Sequence, residues 1–470
     1  DTCSWSFRKQ AGFFDVVTWT GDGSSTRTLS HNLDANIGAV LIKGLNESEG
    51  WVVAHRSTSA GNKVLQLNTT SAETTVNHTY ISGSTLTVGT AGNPSFSTND
   101  SGINYVAYLF AHDDQSFGDD SDESIIKCGS YTNNSSSNVE VDLGFEPQWV
   151  LVKNVSDSAD WIILDNMRGL VVNTATASSP ELIPNSSSAE GNTKGLIPTS
   201  TGFYVQSGVD LRYNSGATTG TKTYIYIAIR RPMKTPEAGT EVFKPNDVDN
   251  GASQPDSLSG FPVDMYFRRY VNTTNDTYLL TRLTSPNALK TNGTDAEAAF
   301  STASAGLDYN DGVMNIFSSN NSDFHTWMFK RATGFFDVVS YDGSSSAKTV
   351  SHNLQAVPEL IITKSRANAE EWEVYAAPLG NTKTIRLNQG STPITNSLFW
   401  NNTSPTSSVF TVGTASSTNF NGYKFIAYLF ATLAGVSKVG SYSGTGSNVD
   451  VDCGFSAGAR FVLIKRTDST

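Results

Sequence analysis

The sequence predicts an all-β protein: tandem antiparallel β-sandwich units of jelly-roll, immunoglobulin-like or lectin-like kind, about 100 residues each. Three observations carry this. Charge is sparse: the 470 residues include 32 Lys and Arg and 44 Asp and Glu, so only 16 % are charged. Ser, Thr, Asn and Gly take up the difference, the residues of turns and exposed strand faces. Apolar and polar residues alternate at period two in VEVDLGF (139–145), TKTYIYIAI (221–229), KTIRLN (383–388) and SVFTVGT (408–414), which is the pattern of half-buried strands. Between such runs lie turn clusters: TGDGSST (20–26), NNSSS (133–137), YNSGATTG (213–220) and DGSSS (342–346). The one stretch with helical character is TDAEAAFSTASAG (294–306).

Internal repeats set the organisation. FRKQAGFFD (7–15) returns as FKRATGFFD (329–337), and HNL recurs at 31–33 and 352–354. LIKGLNESEGW (41–51) returns as IITKSRANAEEW (361–372), LQLN (65–68) as IRLN (385–388), and VAYLFA (106–111) as IAYLFA (426–431). A second layer links GSY…VEVDLGFEPQWVLVKN (129–154) to GSY…VDVDCGFSAGARFVLIKR (440–466). GFPVDMYFRRY (260–270) and HTWMFKR (325–331) belong to a more diverged copy. The chain therefore divides into segments A (10–120), B (121–236), C (237–332), A′ (333–436) and an incomplete B′ (437–470). Residues 1–9 (DTCSWSFRK) match the closing strand of a C unit. The ends read as a window on a longer repetitive protein, or else as a subunit whose edges neighbours complete by strand donation. The sequence does not open on a basic-apolar run, so a signal peptide is not expected within it.

Composition narrows function. The net charge of −12 argues against tracking nucleic-acid phosphates. Hydrophobic residues at 38 %, with 10 % aromatics, are enough for packed cores. Cys3, Cys128 and Cys453 are too few for a disulfide framework and show no zinc spacing. No run approaches the roughly 18 apolar residues of a membrane helix, so no membrane insertion is expected. The acidic run HDDQSFGDDSDES (112–124) lacks calcium-loop spacing and reads as a solvated linker.

A search for catalytic chemistry returns nothing specific. Asp15 and Asp337 occupy equivalent repeat positions and read as framework residues, as do His31 and His352; Asp165 merely ends a strand. No GxSxG elbow occurs. No enzyme, cofactor or metal is therefore expected. The most distinctive recurrent element is a Lys and a Trp eight residues apart: Lys43 and Trp51, Lys153 and Trp161, Lys364 and Trp372. These are candidate glycan contacts, with the Trp stacking on sugar rings and the Lys as a donor. The competing and favoured expectation makes each Trp a core plug, with its Lys at the solvent end. Asn-x-Ser/Thr sequons are abundant, those at Asn46, Asn68, Asn77, Asn99, Asn154, Asn185, Asn272, Asn275 and Asn292 among them, and are ascribed mainly to composition.

GFFDVV with HNL, the run IIKCGSYTNNSSSNVEVDLGFEPQWVLVKN, and YLFA together give the sequence its family look. On these motifs it resembles repetitive fibre or appendage proteins of aquatic bacteriophages, cyanophages among them. The resemblance covers A, B, A′ and B′, and C weakly. B′ departs from it, with SAGAR (456–460) where B has EPQW (146–149). The resemblance implies an extracellular or virion-surface protein that assembles with copies of itself and touches host glycans, and it supplies no catalytic residues. A strand-donating cell-surface filament of pilus-like kind and a carbohydrate-binding array are the alternative expectations.

Overall fold

Opening strand Phe14–Thr20 pairs antiparallel with closing strand Asn104–Ala111, and the closing strand pairs on its other edge with Ile37–Gly44. Val52–His55, Lys63–Gln66 and Thr74–Thr75 extend this sheet to six strands. The computed structural model describes residues 3–78, 80–133, 137–172, 179–193, 195–206, 221–248, 255, 257–271, 274–300, 306–314 and 324–468. The turn cluster YNSGATTG, Asn272 and the centre of NNSSS lie outside these residues.

The same strand order recurs. In B, Ile126–Thr132, Thr223–Arg230, Pro147–Asn154 and Trp161–Asp165 form a four-stranded sheet in that spatial order. In C the order runs Phe243–Val248, Phe324–Phe329, Met265–Tyr270, Tyr278–Thr281, Asn287–Lys290, Ala298–Ala299. In A′ it runs Phe336–Asp342, Lys424–Phe430, Leu360–Ser365, Glu373–Ala376, Lys383–Arg386, Ile394–Thr395. Each large sheet is accompanied by a smaller one, such as Lys348–Ser351 with Val409–Val412 in A′. The protein is thus all-β and antiparallel throughout its described sheets, in keeping with sandwich units.

Two sequence expectations are corrected. The stretch 294–306 is not helical where it is described: Ala298–Ala299 is an edge strand paired with Asn287 and Ala288. Extended backbone there lets the Glu297 N–H donate to the Arg366 carbonyl at 2.8 Å while the two side chains meet, which a helical turn would prevent. The helices that do occur, Ser397–Trp400 and Ser416–Asn419, are single turns. The alternation in TKTYIYIAI does not signal one wet face either, because Tyr224 to Ile229 are all buried. Tyr224, Tyr226 and Ala228 face the sandwich core of B, whereas Ile225, Ile227 and Ile229 join a cluster shared with the sheet of A. A central strand covered on both faces has no solvent side.

The chain forms two compact units, one of residues 1–170, 176–198 and 202–231, the other of 171–175, 199–201 and 232–470. In the first, the sheets of A and B pack on one another through Val53, Leu65, Leu151, Trp161 and Ile225. In the second, the sheets of C and A′ do so through Met265, Leu279, Ile362, Trp372 and Tyr428. Large apolar faces buried between sheets are the main stabilising term, at about 25 cal/mol per Å².

Candidate functional site: the Lys–loop–Trp clamp

The recurrent Lys and Trp lie at the ends of neighbouring strands, joined by the seven-residue loop between them. In B, Lys153 Nζ donates back to the loop carbonyl of Ala159 at 2.7 Å and outward to the Thr70 carbonyl of A at 2.9 Å. The Ala159 N–H donates to the same Thr70 carbonyl at 2.9 Å, and the Glu73 N–H donates to the Val155 carbonyl at 3.0 Å. Trp161 Nε1 donates to the Gln66 carbonyl at 2.9 Å. One loop therefore grips the 66–73 stretch of A by its backbone, which any sequence with the right chain path can satisfy.

The clamp of A′ does the same to C. Lys364 Nζ donates to the carbonyls of Ser365 at 2.8 Å, Thr294 at 3.1 Å and Asn368 at 3.3 Å. Trp372 Nε1 points at the carbonyls of Lys290 at 3.1 Å and Gly293 at 3.2 Å. Arg366, in the same loop, forms a two-pronged pair with Glu297 at 2.8 Å on each prong. Both side chains are almost fully buried, so the pair holds register at a large desolvation cost.

These positions correct the sugar-platform expectation for four of its six residues. Trp161 and Trp372 are 2 % and 0 % exposed, and Lys153 and Lys364 are both 0 % exposed. None offers a face to a glycan, and neither lysine is the solvent-end residue expected. Burial pushes both ammonium groups down, to about 8 in each case; nearby carboxylates act in the opposite direction.

Segment A differs. Lys43 Nζ donates only within its own loop, to the carbonyls of Glu49 at 2.5 Å and Glu47 at 3.4 Å. Trp51 stacks on Tyr108 at 6.0 Å, as Trp372 stacks on Tyr428 at 6.1 Å. Trp51 is half-buried, and among the described residues no acceptor meets its indole N–H.

A feature that sequence reading missed orients all three tryptophans. The N–H of Trp51, Trp161 and Trp372 donates to the side-chain oxygen of Asn68, Asn185 and Asn388, at 2.9, 2.9 and 3.2 Å. LQLN, LIPN (182–185) and IRLN end on these asparagines, so the signal was present as a short motif at variable distance from the Trp. Asn68 and Asn185 are thereby engaged sequon residues, and Asn99 and Asn154 are fully buried.

The candidate carboxylates and histidines bind the framework. The Asn32 N–H donates to Asp15 Oδ2 and the Asn353 N–H to Asp337 Oδ2, both at 2.8 Å. His31 Nδ1 accepts from the Leu33 N–H and His352 Nδ1 from that of Leu354, so FFD and HNL together pin one turn. Asp165 accepts from Trp5 Nε1 at 3.1 Å and Arg168 Nε at 2.7 Å. Among the described residues no group of three metal-ligating side chains converges. Apolar gaps lie beside Trp161 and Trp372, lined among others by Val53, Leu151 and Ile225 in one and by Met265, Leu279 and Ile362 in the other, and neither has room for a small-molecule ligand.

The residues at the two ends of the chain repeat one arrangement. Phe7 lies 5.4 Å from Phe14 and 5.6 Å from Phe110, and meets Trp149 edge-on at 5.9 Å. Phe329 lies 5.7 Å from Phe336 and 6.1 Å from Phe430, and meets Phe461 edge-on at 5.8 Å. Lys9 Nζ donates to the Val16 carbonyl and pairs with Asp15; Arg331 donates to the Val338 carbonyl and pairs with Asp337. Lys465 Nζ donates to the Gln389 carbonyl, one residue from the place where Lys153 grips A.

A model described as a domain of unknown function, DUF7483, matches residues 2–232 and 248–470. The chain belongs to the DUF7483 family. No curated protein matches it. In this DUF7483 member, the first matched stretch holds the Lys43–Trp51 and Lys153–Trp161 loops, and the second holds Lys364–Trp372.

Proposed function

We propose that the protein is a structural and adhesive component of an extended extracellular fibre, of the kind found in phage tail fibres and appendages. The observation that supports this most is the clamp itself. B is fixed to A, and A′ to C, by buried Lys, Trp and backbone contacts, and rigid linkage is the property a fibre needs. The recurring sequence motifs GFFDVV, HNL and YLFA add the resemblance to phage appendage proteins. Copies of the chain are its partners in this reading, and host glycans are the ligands its repeated surfaces meet by avidity.

Immunogold electron microscopy of particles from the native source tests the reading. Gold along a fibre or appendage is the expected result; label confined to cell interiors or soluble fractions overturns it. A glycan array with the purified chain then tests adhesion, with Trp51→Ala as the control, since Trp51 is the one clamp tryptophan with exposed surface.

A further inference from the structure

Among the described residues, the end of A's sheet face that carries Trp51 lacks the neighbour that its copy in A′ has, while the Val53 and Leu65 part of the same face packs on B. On A′, Val338, Ile362, Trp372, Ile426 and Tyr428 are buried in the cluster shared with C. The repeat-equivalent Val16, Leu41, Trp51 and Tyr108 of A are only partly buried, the first, second and fourth at the margin of the cluster shared with B, and only Val106 of this set is buried. We infer that this face is a docking site for a C-type β segment whose closing strand leads into residues 4–9.

Four independent details fix the occupant. Phe7 sits against Phe14 and Phe110 in the manner of Phe329 against Phe336 and Phe430, and Lys9 meets Asp15 and the Val16 carbonyl as Arg331 meets Asp337 and the Val338 carbonyl. The last residues of a C-type strand are thus already seated on A. The edge-on aromatic that completes the group, Trp149 in one unit and Phe461 in the other, comes from the equivalent position of a B-type segment each time. Both units are therefore parts of one three-segment pattern, C with A with B, and the first unit holds A and B. Among the described residues no acceptor meets the Trp51 indole N–H, whereas Trp372 finds the Lys290 and Gly293 carbonyls of C.

The fourth detail specifies the occupant's chemistry. The position of Arg366 is held in A by Leu45, which is 61 % exposed. A carboxylate facing it, as Glu297 faces Arg366, would be buried without a cation. The segment that docks on A therefore carries an apolar residue where C carries Glu297, which separates it from residues 237–332 of this chain. The inference goes beyond the fibre reading and holds for any long repetitive protein.

The test extends the full chain. Residues 237–325, with Glu297→Leu, are joined ahead of Ser4. Hydrogen exchange at the amides of residues 45–50 slows at least tenfold relative to the parent chain, and Trp51→Ala in the extended chain reverses this. In a second variant, cysteines at Leu45 and at the added position 297, in a Cys453→Ser background, close a disulfide under mild oxidant. The equivalent backbones already share the 2.8 Å hydrogen bond from Glu297 to Arg366, within disulfide reach. Unchanged exchange with no cross-link overturns the inference. So does an added segment that stays unfolded on an intact chain, because docking is what buries its Met265, Leu279 and Leu289 side. Glycan binding that is lost on Trp51→Ala and unaffected by the extension also overturns it, in favour of a sugar platform.

Discussion

The loops ending in Trp51 and Trp372 share spacing, the asparagine bracket and the tyrosine stack, yet one tryptophan is half-exposed and the other sealed. The difference lies outside both loops. Trp372 has the carbonyls of Lys290 and Gly293 and the apolar side of C against it; Trp51 has no such neighbour among the described residues. A local motif can thus preorganise a side chain and leave its burial to a separate element, which is how a repeat becomes an adaptor.

Replacing each tryptophan by alanine should break the comparison most visibly. Trp372→Ala should cost the second unit about 3–5 kcal/mol, since it opens a cavity and removes a donor. Trp161→Ala should do the same to the first unit. Trp51→Ala should cost about 1 kcal/mol, the worth of its stack on Tyr108. Denaturant unfolding of each unit checks this, and equal losses for Trp51 and Trp372 would contradict the exposure difference.

Glu297→Ala comes next, with an expected loss of about 3–5 kcal/mol because Arg366 is left buried and unpaired. Glu297→Leu combined with Arg366→Leu should recover most of it, copying the Leu45 chemistry of A into A′. If the double variant is no more stable than Glu297→Ala, the ion pair is needed for more than balance of charge.

The asparagine bracket should act equally in both loops. Asn68→Ala and Asn388→Ala should each cost about 1 kcal/mol, the net worth of one hydrogen bond. Unequal losses, measured by the same unfolding experiment, would mean that the bracket depends on the neighbouring segment.

A further effect is in pH. The folded state releases the protons of Lys153 and Lys364 near 8, whereas an unfolded lysine holds its proton to about 10.4. Between these values the unfolded chain binds more protons, so stability should rise as pH increases from 8 to 10. Below pH 8 both states are charged and the contribution is level. Urea midpoints at pH 7.5, 8.5 and 9.5 measure the rise, and Lys153→Met with Lys364→Met should remove it. Tyrosines such as Tyr105, pushed up to about 12 by burial, act in the opposite direction above pH 10.

Much of the fold was legible from residues alone. Period-two alternation and Ser/Asn/Gly turns gave all-β sandwiches, and the duplicated GFFD and HNL gave equivalent Asp15 and Asp337 turns, because both depend on chain-local geometry. The Lys–Trp pairs were also visible, as was their recurrence. Their role was not: Lys153 and Lys364 looked like solvent-end residues, and the tryptophans looked equivalent. The edge strand at Ala298–Ala299 was likewise hidden in a stretch of helix-forming residues, because its conformation answers to Arg366, 69 residues away. Sequence determines which backbone an element prefers and which side chains it presents. Only the tertiary structure decides which of those side chains is desolvated, since burial depends on what a distant segment lays against it.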